Sequence, residues 1–285
     1  MSLDFDVFAV GPKPIPSRVP GFEEAVGPAT WPPSTSTFIW GDGGGLLVDC
    51  LITRAEGRSL ATWVKSYDCM PGYVYITHPH ADHFLALPEI VAAFPDAKPV
   101  ALAASIPELE GQISPGFMAV WNGFFPGQLT NRPITPAPFA GTTIPIGGST
   151  ATLIPVGTTD TDHSSIVHVP DLSLVVSGDV VYNQTHLWLM GSTPDSRASW
   201  ARALNTVAAL EARTLIAGHR NPRAADDDAR RQVDECRRYI ADFETALEGS
   251  SSPGELIDRM MAGYPDLANP YTLWVAAYDL LGNKT

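Results

Sequence analysis

Cysteine is scarce in this chain: its 285 residues hold three, Cys50, Cys69 and Cys236, far apart and without C-x-x-C spacing. That set excludes a disulfide framework and leads us to expect reduced thiols in a cytoplasmic setting. Basic residues are also few, 18 Lys and Arg against 31 Asp and Glu, for a net charge of -13, and no Lys/Arg run occurs. A nucleic-acid enzyme would carry a basic stripe, so polyanion partners are set aside. No uninterrupted apolar run reaches the roughly 18 residues of a membrane span. The first ten positions contain Asp4 and Asp6 and no basic cluster, so they do not read as a signal peptide, and no membrane partner is expected. Internal repeats and low-complexity linkers are absent as well. What remains, 45% hydrophobic and 17% charged, is the composition of a globular enzyme with a substantial core.

The chemistry concentrates in Thr77-His78-Pro79-His80-Ala81-Asp82-His83, directly after the apolar run Tyr73-Val74-Tyr75-Ile76. Residues two apart on an extended segment share a face, so His78 and His80 converge on one point. Asp82 and His83 come at the turn into a helical stretch, 84–94, and aim from a different direction. Imidazole with carboxylate suits zinc, iron, manganese or cobalt, and the lack of cysteine here argues against a purely structural zinc knot.

Around this motif, strands and helices alternate, which indicates an α/β layered domain. Residues 11–36 are rich in Pro and Gly and predict an irregular leading segment. Two roles are open to its Trp31: part of a surface strap, or an apolar wall for a substrate on a loop over the metal edge. A hairpin over 37–50 turns on Gly41 to Gly45; no Lys-Ser/Thr follows, so it is not a phosphate loop. Asp49 closes its second, buried strand, a costly place for a carboxylate without hydrogen-bond donors. A helix over 53–66 leads to the motif. Helical stretches over 104–129, broken by Pro115, Gly116 and Pro126, carry Phe117, Trp121, Phe124 and Phe125 as core or lid packing. Strand 151–156 precedes a loop with Thr158, Asp160, Asp162 and His163, and a hairpin over 166–176 follows. His186, Trp188 and Met190 fall on a loop that would lead away from the metals, where His186 either bonds a substrate or is solvated. An amphipathic helix over 196–212 leads to a short buried strand ending in Ala217-Gly218-His219, and helices over 225–248, 253–262 and 270–281 close the chain.

The H-x-H-x-D-H run resembles the signature of the metallo-β-lactamase-fold superfamily. Over about 37–222 the later stations of that family follow in order: Asp49, the histidine run, Ser177-Gly178-Asp179 and Ala217-Gly218-His219. The resemblance implies a four-layer αβ/βα sandwich with two mixed sheets face to face and helices outside. Without internal repeats or low-complexity linkers, the chain reads as a single domain over 1–285, with 223–285 as a helical extension that shapes the pocket or forms a subunit contact in a homo-oligomer. The resemblance makes His78, His80 and Asp179 ligands of one metal, and Asp82, His83, Asp179 and His219 ligands of the other. Asp49 would support the histidine loop from behind. One departure is visible: the family has a histidine directly after the glycine where this chain has Thr158, a poor ligand for a borderline metal. Thr158 is therefore expected beside the ligands rather than among them. His163, five residues on, is the expected replacement, and Asp160 and Asp162 are further oxygen candidates.

The implied activity is metal-dependent hydrolysis. Two ions of a zinc-like metal, about 3.5–4 Å apart, would hold a hydroxide for attack on a small ester, lactone, thioester or amide. Asp82 would orient the nucleophile or pass a proton to the leaving group, and Trp31, Tyr182 and His186 would meet a small-molecule substrate. Iron or manganese could replace zinc. Two alternatives accompany this expectation: a single-iron oxidoreductase like the family's sulfur dioxygenases, to which Thr158 gives force, and a metal-binding scaffold without catalysis.

Overall fold

The structure, a computed structural model, describes residues 3–282. Its first half contains β1 (Asp4–Val10), β2 (Lys13–Pro14), α1 (Phe22–Ala25), β3 (Thr30–Trp31), β4 (Ser34–Gly41), β5 (Gly44–Val48), α2 (Arg54–Val64), β6 (Pro71–Ile76), α3 (Leu87–Ala93), β7 (Lys98–Leu102), α4 (Ile106–Gln112), α5 (Pro115–Phe124) and β8 (Ala137–Phe139). The second contains β9 (Thr143–Ile146), β10 (Ser149–Gly157), β11 (Ser164–Val169), β12 (Leu174–Gly178), α6 (Pro194–Ala208), β13 (Thr214–Ala217), α7 (Ala229–Glu248), α8 (Pro253–Gly263) and α9 (Pro270–Leu281). The sheets run β1-β4-β5-β6-β7-β8 and β13-β12-β11-β10-β9, with β2 and β3 forming a small ribbon. Both are mixed: β5 through β8 and the β12–β13 pair are parallel, the rest antiparallel.

Side-chain alternation on the buried strands produces the layers, because a period of two sends neighbours to opposite faces. On β5, Leu46 and Val48 join Tyr75 of β6 and Val176 and Ile216 of the other sheet in a core between the sheets. Leu47, Val74 and Ile76 face outward onto Leu60 and Val64 of α2 and Ile90 of α3. On the far side, Val175 and Leu215 face Trp200 and Leu204 of α6 and Val233, Tyr239 and Phe243 of α7. The result is the four-layer αβ/βα sandwich. The last three helices are not a loose appendage: Leu256 of α8 and Leu273 and Ala276 of α9 belong to the same outer core.

Local chemistry sets the helix starts that matter for the site. Thr53 caps α2 in a reciprocal box with Glu56: Thr53 Oγ1 accepts from Glu56 N at 3.2 Å, and Thr53 N donates to Glu56 Oε2 at 3.0 Å. Thr193, with Pro194 in the first turn, caps α6, and Trp200 Nε1 of that helix donates to Val180 O at 2.8 Å. That bond pins the segment just after β12. The strand β1, absent from the sequence expectation, pairs with β4 along its whole length. The expected helix at 84–94 begins later, after a 3-10 turn over Ala81–His83.

Leu46 is fully buried between the sheets. Its replacement by Ala should lower unfolding free energy by about 2–5 kcal/mol, through lost transfer energy and the cavity left behind, as read from denaturant titration.

Candidate metal centre

Several strands end along one edge of the sandwich. β5 delivers Asp49, β6 delivers Thr77 and His78, β10 precedes Asp160, β12 precedes Asp179, and β13 precedes Gly218 and His219. The two sheets are sewn together here. Ser165 donates to Thr77 O from its N at 3.0 Å and its Oγ at 2.6 Å, and Thr35 donates from N to Gly218 O at 2.9 Å. Two glycines permit this closeness. Gly178 adopts φ 48°, and a Cβ there would stand 2.5 Å from Thr77 Oγ1. A Cβ on Gly218 would collide with the Asp179 carboxylate.

The histidine rings are fixed from behind. Asp49, itself at φ 62°, accepts from Thr77 N at 2.9 Å and from Thr77 Oγ1, and its Oδ2 binds His83 Nδ1 at 2.9 Å. Asp49 thereby finds the donors that its burial demands. His78 Nδ1 meets Thr77 Oγ1 at 3.0 Å, and His219 Nδ1 donates to Pro33 O at 2.9 Å. With the Nδ1 sides engaged, the Nε2 atoms of His78, His83 and His219 face inward, the arrangement by which outer partners orient metal ligands.

Two groups of donors result: His78, His80, Asp160 and Asp179, and Asp82, His83 and His219. Asp179 stands between them. Its Oδ1 is 3.2 Å from His83 Nε2, and its Oδ2 is 3.1 Å from His219 Nε2 and 3.8 Å from His78 Nε2. Asp82 Oδ2 is 3.2 Å from His219 Nε2, and Asp160 Oδ2 is 3.0 Å from His80 Nδ1. His78 Nε2, His83 Nε2, Asp160 Oδ2 and Asp179 Oδ1 are buried without a hydrogen-bond partner among the described residues. Buried polar atoms pointing at one another in this way fit divalent metal ions, which would satisfy several at once.

Electrostatics agree. Burial and the neighbouring His83 lower His78 to about 4, so its ring is a neutral donor. Burial would lower His219 too, but Asp179 and Asp82 outweigh it and raise the ring to about 10. His83 is likewise raised against its own burial by Asp179, Asp49 and Asp82. Burial acts to raise Asp82 and Asp179, yet the facing imidazoles hold both well below the usual carboxylate range. Without metal, protons on His83 and His219 balance the carboxylates; with metal, the ions would take their place.

The groups lie at the floor of a pocket of about 380 Å³, with His80, Asp82, Asp179, Tyr182 and His219 on its wall. Trp31, in β3, takes the wall position over the metal edge and ties its Nε1 to Asp82 Oδ2 at 2.8 Å. Tyr182 also lines the pocket, with its hydroxyl donating to Asp179 Oδ2 at 2.8 Å.

Four expectations are corrected. His163 is not beside the histidines: its side chain is 49% exposed, at φ 53°, with Nε2 3.6 Å from Glu108 Oε1. Asp160, with a fully buried side chain, occupies that region instead, held by Thr159 Oγ1 at 2.9 Å. A left-handed turn at His163 throws the ring outward, whereas Asp160 lies closer to the strand end. Thr158 does not support the ligands either; its hydroxyl donates to Asp162 Oδ1 at 2.8 Å on the rim. His186 is fully buried away from the pocket, bonded to Tyr239 OH at 2.8 Å, and its burial lowers it to about 4. The loop carrying it does not lead away from the metal edge, since the Trp188 ring lies 6.2 Å from His80 and 5.7 Å from Trp31. Sequence reasoning gave no role to Thr77, whose hydroxyl links Asp49 to His78 although it sits inside the motif; α9, one of the closing helices expected to shape the pocket or form a subunit contact, lines the pocket with Tyr271, Thr272, Val275 and Tyr278.

The sequence pattern of the Metallo-beta-lactamase superfamily matches residues 29–219. No curated protein matches the chain significantly in sequence. Among solved structures, a metallo-beta-lactamase family protein from Thermus thermophilus is similar over 96% of this chain and 91% of its own, at 16% identity and a TM-score of 0.64. A beta-lactamase domain protein from Burkholderia ambifaria is similar over 96% and 86%, at 12% identity and a TM-score of 0.66. A sec-alkyl sulfatase is similar over 86% of this chain and 47% of its own, at 15% identity and a TM-score of 0.64. At these identities the likeness is one of fold.

Two outcomes are expected from the geometry. Asp160→Ala should lower bound metal per chain, measured by elemental analysis after dialysis, whereas His163→Ala should leave it unchanged. Metal binding should also tighten as pH rises from 6 toward the His219 value of about 10, by up to about tenfold per pH unit for each proton displaced. Calorimetry in buffers of different ionisation enthalpy reads the released protons directly; uptake without proton release would contradict the paired-imidazole arrangement.

Proposed function

Because this chain belongs to the Metallo-beta-lactamase superfamily, we propose that it is a metal-dependent hydrolase acting on a small ester, lactone, thioester or amide. The observation that carries this reading is the pair of facing donor groups, with orphaned buried atoms, at the floor of a pocket large enough for a small molecule. His78, His80, Asp160 and Asp179 would hold one ion and Asp82, His83, His219 and the shared Asp179 the other, with zinc the first candidate and manganese or iron as substitutes. When bound, such ions supply Lewis acidity and lower the pKa of water toward neutrality.

The chain's own groups do the rest. Asp82 presents a carboxylate to the pocket, oriented by Trp31 Nε1, where it can direct a water or accept its proton. The Tyr182 hydroxyl holds Asp179 in place between the groups. Aromatic walls exclude water around the reacting bond. Asp160 gives the first group four side chains, which favours two ions over the single-iron alternative. Structural neighbours described as metallo-beta-lactamases and a sec-alkyl sulfatase support a hydrolytic reading without choosing the bond. Three buried free cysteines support a cytoplasmic location, and among the described residues no helix is long and apolar enough to cross a membrane.

A panel of chromogenic esters, lactones, thioesters, β-lactams, phosphodiesters and sulfate esters tests the proposal. Turnover of at least one carboxylic substrate is expected, lost on chelation and restored by zinc or manganese. Oxygen consumption with bound iron would favour the oxidoreductase, and bound metal without turnover on any substrate would favour the scaffold.

A further inference from the structure

The wall of the pocket says more about its ligand than the metal groups do. α5 runs Pro-Gly-Phe-Met-Ala-Val-Trp-Asn-Gly-Phe, ten residues without a charge, yet only Trp121 among them is buried. Phe117 and Val120 are 49% and 43% exposed, and Met190 across the pocket is 42% exposed; all three line its mouth. A charge-free helix left open to water beside a candidate active site marks a surface that a ligand covers. From His80 the aromatic wall continues through Trp188, Trp31 and Phe124, with ring centroids 6.2, 5.7 and 5.7 Å apart.

At the far end of that wall stands Arg18. It is the only arginine or lysine lining the pocket among the described residues. Its guanidinium lies 4.2 Å over the Phe124 ring, donates from Nη2 to Val120 O at 3.3 Å, and meets no carboxylate among the described residues. Gly123 leaves room for it, since a Cβ there would meet Arg18 Nη2 and push the flexible tip aside. A guanidinium has five N–H donors, so most of this one remains free for an anion.

We propose that the pocket takes an anionic amphiphile, with its hydrolysable bond at the metal groups, an apolar chain or ring along Trp188, Trp31 and Phe124, and a carboxylate-like group on Arg18. This rests on the hydrolase reading for the position of the scissile bond and not for the pocket's ligand preference.

The test uses the metal-loaded full chain and its pocket tryptophans as reporters. Straight-chain dicarboxylates from adipate to dodecanedioate, and the matching monocarboxylates, are titrated against tryptophan emission. One dicarboxylate length should bind best, and Arg18→Gln should weaken it by about tenfold, the loss of a charge-assisted contact, while changing the matching monocarboxylate less than about twofold. Gly123→Ala should act similarly, since it displaces the guanidinium while keeping its charge and suiting the helix. Phe117→Ser should weaken both ligand series alike. Equal effects of Arg18→Gln on both series would overturn the anchor. Absence of binding by either series would overturn the proposal, as would an emission change that follows protein concentration instead of ligand, which would point to self-association through the α5 face. Hydrolysis is read separately: dicarboxylate binding without turnover on the substrate panel would count against the hydrolase and leave this assignment standing.

Discussion

The bond from His83 Nδ1 to the Asp49 carboxylate is the contact on which the metal edge depends. Asp49 sits buried at the end of β5 in a left-handed conformation, where an ordinary side chain is disfavoured. Its burial is tolerable because Thr77 and His83 both bind it. Through Thr77 it also reaches His78, so one carboxylate sets rings that belong to opposite donor groups. Strain in the backbone and order in the site are thus the same feature.

Around that contact, the two sheets impose closeness. Thr77 of one sheet is bonded to Ser165 of the other, and Gly218 to Thr35. The edge therefore gathers imidazoles and carboxylates more tightly than their desolvation would allow in isolation. Their charges compensate in pairs, and His78 Nε2, His83 Nε2, Asp160 Oδ2 and Asp179 Oδ1 have no hydrogen-bond partner among the described residues. The outer layers serve the same end: Trp200 of α6 holds the chain after Asp179, and Cys236 of α7 packs against the Tyr182 backbone, bonding its carbonyl at 3.2 Å.

The pocket is built differently, from segments that share no sheet. The leading segment supplies Arg18 and Trp31, α5 supplies Trp121 and Phe124, the loop after β12 supplies Trp188, and α9 supplies Tyr271 and Val275. The metal groups stand on the rigid geometry of strand ends, while much of the surface a substrate meets comes from loops and helices outside the sheets, tied to the ligands through Trp31 and Tyr182.

Much of the layered core could be read from the chain alone, since alternation on β5, β6, β12 and β13 and caps such as Thr53 are local properties. The H-x-H-x-D-H run was legible for the same reason: extended backbone puts His78 and His80 on one face wherever the strand lies. Distance across the fold was not legible. His163 and Asp160 both lie within a few positions of Thr158 on paper, and only the turn after β10 decides that Asp160 faces His80 while His163 faces Glu108. His186 offered a ring that no local pattern could place; packing under Tyr239 withdrew it from the pocket. Residue type and periodicity determined which side chains can hold a metal and which strands carry them. Tertiary packing decided which of them meet, because a donor's partner depends on where the chain turns and on which buried neighbour satisfies it first.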